Sequence, residues 1–223
     1  MADAASLGRR VAAEGVGAFF LFACVIGSGI MAQALAGGNN GVALLANAIA
    51  TGAILFVLIT MLGPISGAHF NPAVTLVAAM RRDLPWLDAA AYLAAQFALG
   101  IAGAWAAHLM FDLPTIQFSA KVRTGLGQWA GEFIATFGLV MTILGTVRHK
   151  PQAVAASVAL YIMAAYWFTS STSFANPAIT VARSLSDTFA GIAPHDVPAF
   201  LAAQIAGAIV ASRVAALLFR PSS

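Results

Sequence analysis

Charged residues are scarce in this chain. Only 9% of its 223 residues are Asp, Glu, Lys or Arg, while 61% are hydrophobic. Soluble domains carry roughly 25% charged residues, so this composition excludes a soluble globular protein. None of the charges lies within residues 15–80, 89–111 or 151–182. Apolar runs of this length indicate segments that lie inside a membrane.

Cysteine is almost absent as well. Cys24 is the only one, which excludes a disulfide framework, a cysteine-based metal site and CxxC redox chemistry. His108, His149 and His195 lie far apart in the sequence, with no second ligand at metal spacing. No nucleophile, base and orienting group occur together, so we expect no enzyme, no metal and no cofactor. No basic cluster is interleaved with stacking aromatic residues, so we expect no nucleic-acid partner.

Six segments are long and apolar enough to cross a bilayer. A helix needs about 20 apolar residues to span the roughly 30 Å of hydrocarbon. Charged residues or turn residues separate the candidate segments from one another. The predicted spans are residues 11–34, 42–62, 86–110, 127–147, 152–170 and 197–219.

The positions of the basic residues predict how these spans are oriented. Loops on the cytoplasmic side of a membrane are enriched in Lys and Arg. With a cytoplasmic amino terminus, six spans also place the carboxyl terminus in the cytoplasm. That side then carries Arg9, Arg10, Arg81, Arg82, Arg148, Lys150 and Arg220, and the outer side carries Lys121, Arg123 and Arg183.

Two apolar segments, residues 63–80 and 172–185, remain outside the six spans. Each contains the tripeptide Asn-Pro-Ala, once after the second span and once after the fifth. The chain therefore divides into two copies of one unit, about 11–110 and 127–219, within a single domain over residues 1–223. Each unit has three spans, an odd number, so the second unit must be inverted relative to the first.

The two tripeptides are predicted to begin short helices. Asn caps free backbone donors, and Pro fits the first helical position, where its missing N–H had no partner. About 11 helical residues rise roughly 16 Å, which is half of the bilayer core. In an inverted repeat the two amino-terminal ends meet near the midplane, where their dipoles oppose cations and the Asn amides can donate hydrogen bonds to neutral solutes. The residues concerned are Asn71, Pro72, Ala73, Asn176, Pro177 and Ala178.

The tripeptides and their flanks resemble a known family. SGAHFNPAVT at residues 66–75 is similar to the first signature of the aquaporin, or major intrinsic protein, family, and FANPA at 174–178 is similar to the second. The resemblance implies an all-α membrane protein with six spans and two re-entrant half-helices. It also implies passive conduction of water or small neutral solutes, and a homotetramer in lipid. Residues 179–194 are similar to a bacterial branch linked with metalloids, which implies a bacterial inner membrane and neutral arsenite as a further solute.

The family pattern also implies which residues narrow the outer part of the pore. An Arg usually follows the second tripeptide in the family, whereas this chain has Ile179. The other contributors implied by counting are Thr51, Ile162 and Ser173, with the position of Ile162 shifted by several residues because the loop before Asn176 is longer. A constriction of these four residues has no bulky ring and no fixed cation. We therefore expect it to admit solutes larger than water.

Four further residues leave alternatives open. Arg183 reaches back toward the pore, lines the outer vestibule, or pairs with Asp187 at the end of its helix. Glu14 and Glu132 either couple protons or cations to transport, or accept hydrogen bonds from the irregular backbone before the half-helix of their own unit. Their symmetric placement favours the second reading, and the first leaves an ion-coupled transporter as the alternative function. His69 either gates the cytoplasmic mouth or packs within its loop.

Overall fold

A computed structural model describes residues 5–219, and every regular element in this range is helical. Two short 3-10 helices, Pro151–Ala153 and Pro194–Asp196, directly precede the sixth and the eighth α-helix. The α-helices are α1 (Leu7–Leu35), α2 (Asn40–Ser66), α3 (Pro72–Met80), α4 (Trp86–Met110), α5 (Leu126–His149), α6 (Val154–Phe168), α7 (Pro177–Ser184) and α8 (Val197–Leu218).

Six of these helices are long and apolar enough to cross a membrane. They are α1, α2, α4, α5, α6 together with its leading 3-10 turn, and α8 with its own. The predicted six-span, all-α membrane fold is therefore confirmed. The helix ends differ from the prediction by about one turn at most, as where α1 begins at Leu7 rather than at residue 11.

The end of α2 corrects one predicted boundary. Residues 63–66 continue the second span, although Pro64 lies among them and they were expected to belong to the re-entrant segment. The helix ends at Gly67, whose φ of 88° is left-handed and whose N–H donates to Gly63 O (3.0 Å). Glycine is favoured at such a helix end because it has no Cβ to clash. The first re-entrant loop therefore begins at Gly67.

The two half-helices are α3 and α7, with 9 and 8 residues. Both begin directly after the Asn of a tripeptide, as predicted, and Asn71 and Asn176 are their extended N-cap residues. Both are shorter than the predicted 11 residues. After Ser184 the chain turns away to bond with the loop between α4 and α5, since Ser119 N donates to Ser184 O (3.0 Å).

The packing of the helices repeats between the two units. In the first unit α1 packs on α4, in the second α5 packs on α8, and α2 packs on α6 across the units. Two glycines allow the close pairs, because a Cβ at Gly103 would lie 2.1 Å from Phe19 O and one at Gly207 2.4 Å from Phe133 O. The half-helices α3 and α7 contact each other, and each of them contacts both α4 and α8. The two half-helices thus meet at the centre of the bundle.

Candidate functional site

The two half-helices are joined end to end by their asparagines. Asn71 Nδ2 donates to Ala175 O (2.7 Å), and Asn176 Nδ2 donates to Phe70 O (2.8 Å), so each amide binds the loop of the other unit. Both amide oxygens accept the backbone N–H groups at the start of their own helices. An amide nitrogen carries two hydrogens. Each Asn therefore retains a second N–H for a solute in the cavity that both residues line.

The backbone before each asparagine has an unusual conformation. Phe70 and Ala175 have φ values of 49° and 47°, in the left-handed region that residues with a Cβ rarely adopt. Such residues cost about 1–3 kcal/mol each and persist only where the surroundings hold them. Here the conformation directs each carbonyl toward the asparagine of the opposite unit.

Two fully buried glutamates, Glu14 and Glu132, hold the loops that precede the asparagines. Glu14 accepts the N–H groups of His69 (2.9 Å) and Phe70 (2.7 Å). Glu132 accepts those of Phe174 (2.8 Å) and Ala175 (2.9 Å). These are the hydrogen bonds that the second reading of the two glutamates predicted.

Two glutamines complete this network, and sequence reasoning missed both. Gln96 Nε2 donates to Glu14 Oε2 (2.8 Å) and to Thr75 Oγ1 (3.0 Å). In the second unit Gln204 Nε2 donates to Glu132 Oε2 (2.5 Å) and to Thr180 Oγ1 (2.9 Å). A signal was present in the sequence, since AYLAAQ at residues 91–96 recurs as AFLAAQ at 199–204.

A cavity of about 310 Å³ passes between the half-helices. Its lining is mostly aliphatic, with polar groups at the two ends and at the central asparagines. The four residues assigned to the constriction all line it and are nearly buried. They are Thr51, Ile162, Ser173 and Ile179, with exposed fractions of 3%, 7%, 3% and 4%.

Besides these four residues, the rings of Tyr166 and Phe174 and the cation of Arg183 line the cavity. The cavity wall therefore has rings and a fixed charge that the predicted set of four residues lacked. Tyr166 lies four residues after Ile162, one turn along the same face of α6, and its hydroxyl is 3.1 Å from Thr51 Oγ1. Phe174 lies in the second re-entrant loop, and Arg183 is the cation. Counting without gaps missed Tyr166 because the loop after α6 is longer.

Arg183 reaches back toward the cavity. Its guanidinium carbon is 3.3 Å from the centroid of the Phe174 ring, and its Nε donates to Ala190 O. Asp187 makes no ion pair with it within residues 5–219, and Asp187 Oδ1 instead accepts the N–H of Ala120 (3.0 Å). The reading of Arg183 as a helix-end ion pair is therefore wrong.

His69 lies at the other end of the cavity, which Arg81 and Asp83 also line. Its Nδ1 is 3.1 Å from Thr75 Oγ1, and its ring packs edge-on against Tyr92 with centroids 5.6 Å apart. The side chain is half-buried, so it both packs within its loop and faces the cavity.

The loop between α4 and α5 lies against the segment that follows α7. Ala193 N donates to Lys121 O (2.7 Å), and Arg123 Nε donates to Gly191 O (2.8 Å). Burial lowers the pKa of Arg123 to about 10, so this side chain stays charged at pH 7. Burial and the charges of Arg123 and Arg183 lower the pKa of Lys121 to about 8. The sequence places Arg123 on the outer side but does not predict any of these contacts.

Comparison with known proteins agrees with this architecture. The model of the major intrinsic protein family matches residues 1–170. An aquaglyceroporin of Rhizobium meliloti (strain 1021), AqpS, is 56% identical over 216 residues, covering 97% of this chain and 92% of that protein. Aquaporin NIP6-1 of Arabidopsis thaliana is 31% identical over 92% of this chain and 67% of its own length. The structure of the aquaglyceroporin from Plasmodium falciparum shares the fold, with a TM-score of 0.74 at 18% identity over 93% of this chain and 95% of that one. The chain belongs to the major intrinsic protein family.

Proposed function

We propose that this protein is a passive channel for water and small uncharged solutes of the size of glycerol. The observation that carries the proposal is the cavity between the two half-helices, with Asn71 and Asn176 at its centre. The similarity to a protein named aquaglyceroporin supports the same solute class. Arsenite, a neutral compound with three hydroxyl groups, belongs to this class and is a further proposed solute.

Charge at the site supports the exclusion of cations and protons. Each helix amino terminus carries about half a positive charge, and two of them face the centre of the cavity. Arg183 adds a full charge farther out, with no carboxylate paired to it in the part of the chain that the structure describes. The resulting positive potential raises the free energy of a cation in the lumen, while a neutral solute is unaffected.

The outer constriction has two chemically different walls, which suits a polyol. Ser173 Oγ is buried and has no hydrogen-bond partner within residues 5–219. The Arg183 guanidinium lies over the ring of Phe174, the next residue in the chain. Ile162 and Ile179 provide an apolar wall. Hydroxyl groups of a solute can bind the polar side while its carbon atoms contact the apolar side. We therefore assign the solute selectivity to this constriction.

The location and assembly of the protein are also proposals. The distribution of basic residues supports cytoplasmic termini, and the bacterial relative supports a bacterial inner membrane. The outward faces of α1 and α2 carry exposed apolar side chains such as Phe20, Phe56 and Met61, which suit lipid or neighbouring subunits in a homotetramer. Native mass measurement of the purified protein should give four times the subunit mass, and a monomer mass would contradict the tetramer.

The alternative, an ion-coupled transporter that uses Glu14 and Glu132, has less support. Each carboxylate already accepts backbone N–H groups and a glutamine N–H, so both are committed to holding their loops. A group that carries a proton during transport has to exchange partners, which these contacts oppose.

Stopped-flow permeability of proteoliposomes to water, glycerol and arsenite tests the proposal. We expect fluxes that are proportional to the solute gradient and unchanged when ionophores collapse ion gradients. Liposomes without protein serve as the control. A flux that requires an ion gradient, or that saturates with slow turnover, would favour the transporter.

A further inference from the structure

The two re-entrant loops match one another residue by residue. In the first, Ala68 N donates to Ser66 Oγ (3.0 Å), and in the second, Ser173 N donates to Ser171 Oγ (3.3 Å). Both serines lie five residues before the Asn of their tripeptide. The inverted repeat thus extends to single hydrogen bonds.

The rings behind the loops match as well. His69 packs edge-on against Tyr92 with centroids 5.6 Å apart, and Phe174 packs edge-on against Phe200 with centroids 5.2 Å apart. His69 and Phe174 each lie two residues before their Asn, and the other two rings each lie four residues before the network glutamine of their unit. Tyr92 and Phe200 are therefore equivalent positions.

One hydroxyl group breaks this symmetry. Tyr92 OH donates to Ser66 O (2.9 Å) in the first unit. Phe200 has no hydroxyl, so the equivalent carbonyl of Ser171 lacks this donor. Arg123 Nη1 donates to Ser171 O instead, at 3.3 Å. The second loop therefore receives from the linker between the units the contact that the first loop receives from its own α4.

Arg123 is itself fixed by several contacts. Its backbone N–H donates to Asp196 Oδ2 (2.7 Å), its Nε donates to Gly191 O (2.8 Å), and its guanidinium carbon lies 5.0 Å from the centroid of the Phe174 ring. A Cβ at residue 191 would lie 2.6 Å from Ser186 O, so the packing of the segment that carries Gly191 O requires glycine. Arg123 thus stands behind Phe174 as a rigid support.

The second loop needs such a support. Thr172, Ser173 and Ala175 have φ values of 64°, 51° and 47°, a conformation that residues with a Cβ keep only where neighbours hold it. Glu132 holds the end of the loop through the N–H groups of Phe174 and Ala175. Arg123 holds its beginning. Ser173 lies between these two points, and both Ser173 and Phe174 line the cavity.

We infer that Arg123 is a positioning residue of the outer constriction. It acts from outside the lumen, through Ser171 O and the Phe174 ring, and so determines how sharply the channel distinguishes small polyols by size. The permeability test of this inference rests on the proposed function. The hydrogen-exchange test of the loop does not depend on it.

Permeability ratios of polyols in proteoliposomes test this role. In Arg123→Ala the loop relaxes, and we expect the ratio of glycerol to erythritol permeability to fall about fivefold, the factor that corresponds to one hydrogen bond. Phe200→Tyr in the Arg123→Ala background supplies a hydroxyl equivalent to that of Tyr92 and should restore the ratio without restoring the charge. Lys121→Ala is the matched control, because Lys121 Nζ binds Phe189 O instead. It should leave the ratio unchanged.

Hydrogen exchange measures the rigidity of the second re-entrant loop directly. Hydrogen exchange of the amides at residues 171–175 should be faster in Arg123→Ala and normal in the double variant, whatever solute the channel passes. A lower total flux with an unchanged polyol ratio and unchanged exchange would overturn the inference. A wild-type protein that passes no polyol contradicts the proposed function, and the exchange measurement then still decides the role of Arg123.

Discussion

Single residues account for the differences between this channel and the pattern of its family. Ile179 stands directly after the second tripeptide, where the resemblance implied an Arg, and Arg183 lies one turn farther along α7. Its guanidinium contacts Phe174, so the positive charge is kept while its position changes. The lumen beside Ile179 is consequently apolar.

The Ile179→Arg variant tests the importance of this apolar position. An additional guanidinium at this position narrows the cavity and adds a hydration shell, so we expect glycerol flux to fall about tenfold, equivalent to roughly 1.4 kcal/mol of added barrier. Water flux should fall less, since water is smaller. Ile179→Met, which conserves volume and polarity, is the control. Equal loss of both fluxes would show that Ile179 is not at the narrowest point.

The carboxylate of Glu132 provides a second test at the residue scale. In Glu132→Gln one acceptor oxygen becomes an NH2 group facing backbone donors, so we expect a loss of stability of about 2 kcal/mol, typical of hydrogen bonds to charged groups. The lower unfolding temperature in detergent is the measurement, and Glu14→Gln should behave in the same way. Unchanged stability, together with a solute flux that no longer depends on an ion gradient, would instead support ion coupling.

At the scale of elements, the half-helices combine local and distant determinants. The Asn-Pro start of α3 and α7 follows from side chains that cap their own backbone, so both starting points could be predicted. Their ends could not, because α7 stops where Ser119, 65 positions earlier in the chain, binds Ser184 O. The contact between the two amino termini likewise depends on the packing of both units.

The Asn176→Asp variant tests the electrostatic barrier that these helix ends create. A carboxylate between two positive helix ends offsets their charge and loses the donor to Phe70 O, so we expect a higher proton or cation leak. A pH-sensitive dye inside proteoliposomes reports the leak. Asn47→Asp is the matched control, since Asn47 is buried and binds Val25 O and Ser28 Oγ without itself lining the cavity. An unchanged leak in Asn176→Asp would contradict the barrier.

For the whole molecule, the inverted repeat explains why a chain with so few charges buries two glutamates completely. Glu14 and Glu132 hold equivalent loops in the two units. Each accepts an N–H of a glutamine, which also donates to a threonine. The same repeat brings the loop between α4 and α5 together with the segment after α7. Orientation in the membrane then decides whether a solute entering from outside meets Arg183 or His69 first.

Cysteine labelling of intact cells tests this orientation. With Cys24 changed to Ser, a single cysteine at Thr124, in the loop between α4 and α5, should react with a membrane-impermeant maleimide. A single cysteine at Ser6, just before α1, should react only after lysis. Both are polar residues near the ends of spans, which makes them a matched pair. The reverse pattern would contradict cytoplasmic termini.

The sequence by itself determined the membrane class, the six spans, the inverted repeat and the two tripeptide helix starts. These features depend on composition, run length and neighbours within one helical turn, all of which can be read along the chain. Tyr166, Phe174 and Arg183 also line the cavity, and Arg123 contacts the Phe174 ring from outside it. Only the tertiary structure decided this arrangement, because one turn of rotation or one longer loop changes which side chain faces the lumen. The contact between Arg123 and Ser171 joins residues 48 positions apart, and such a pairing is decided by how the two units pack.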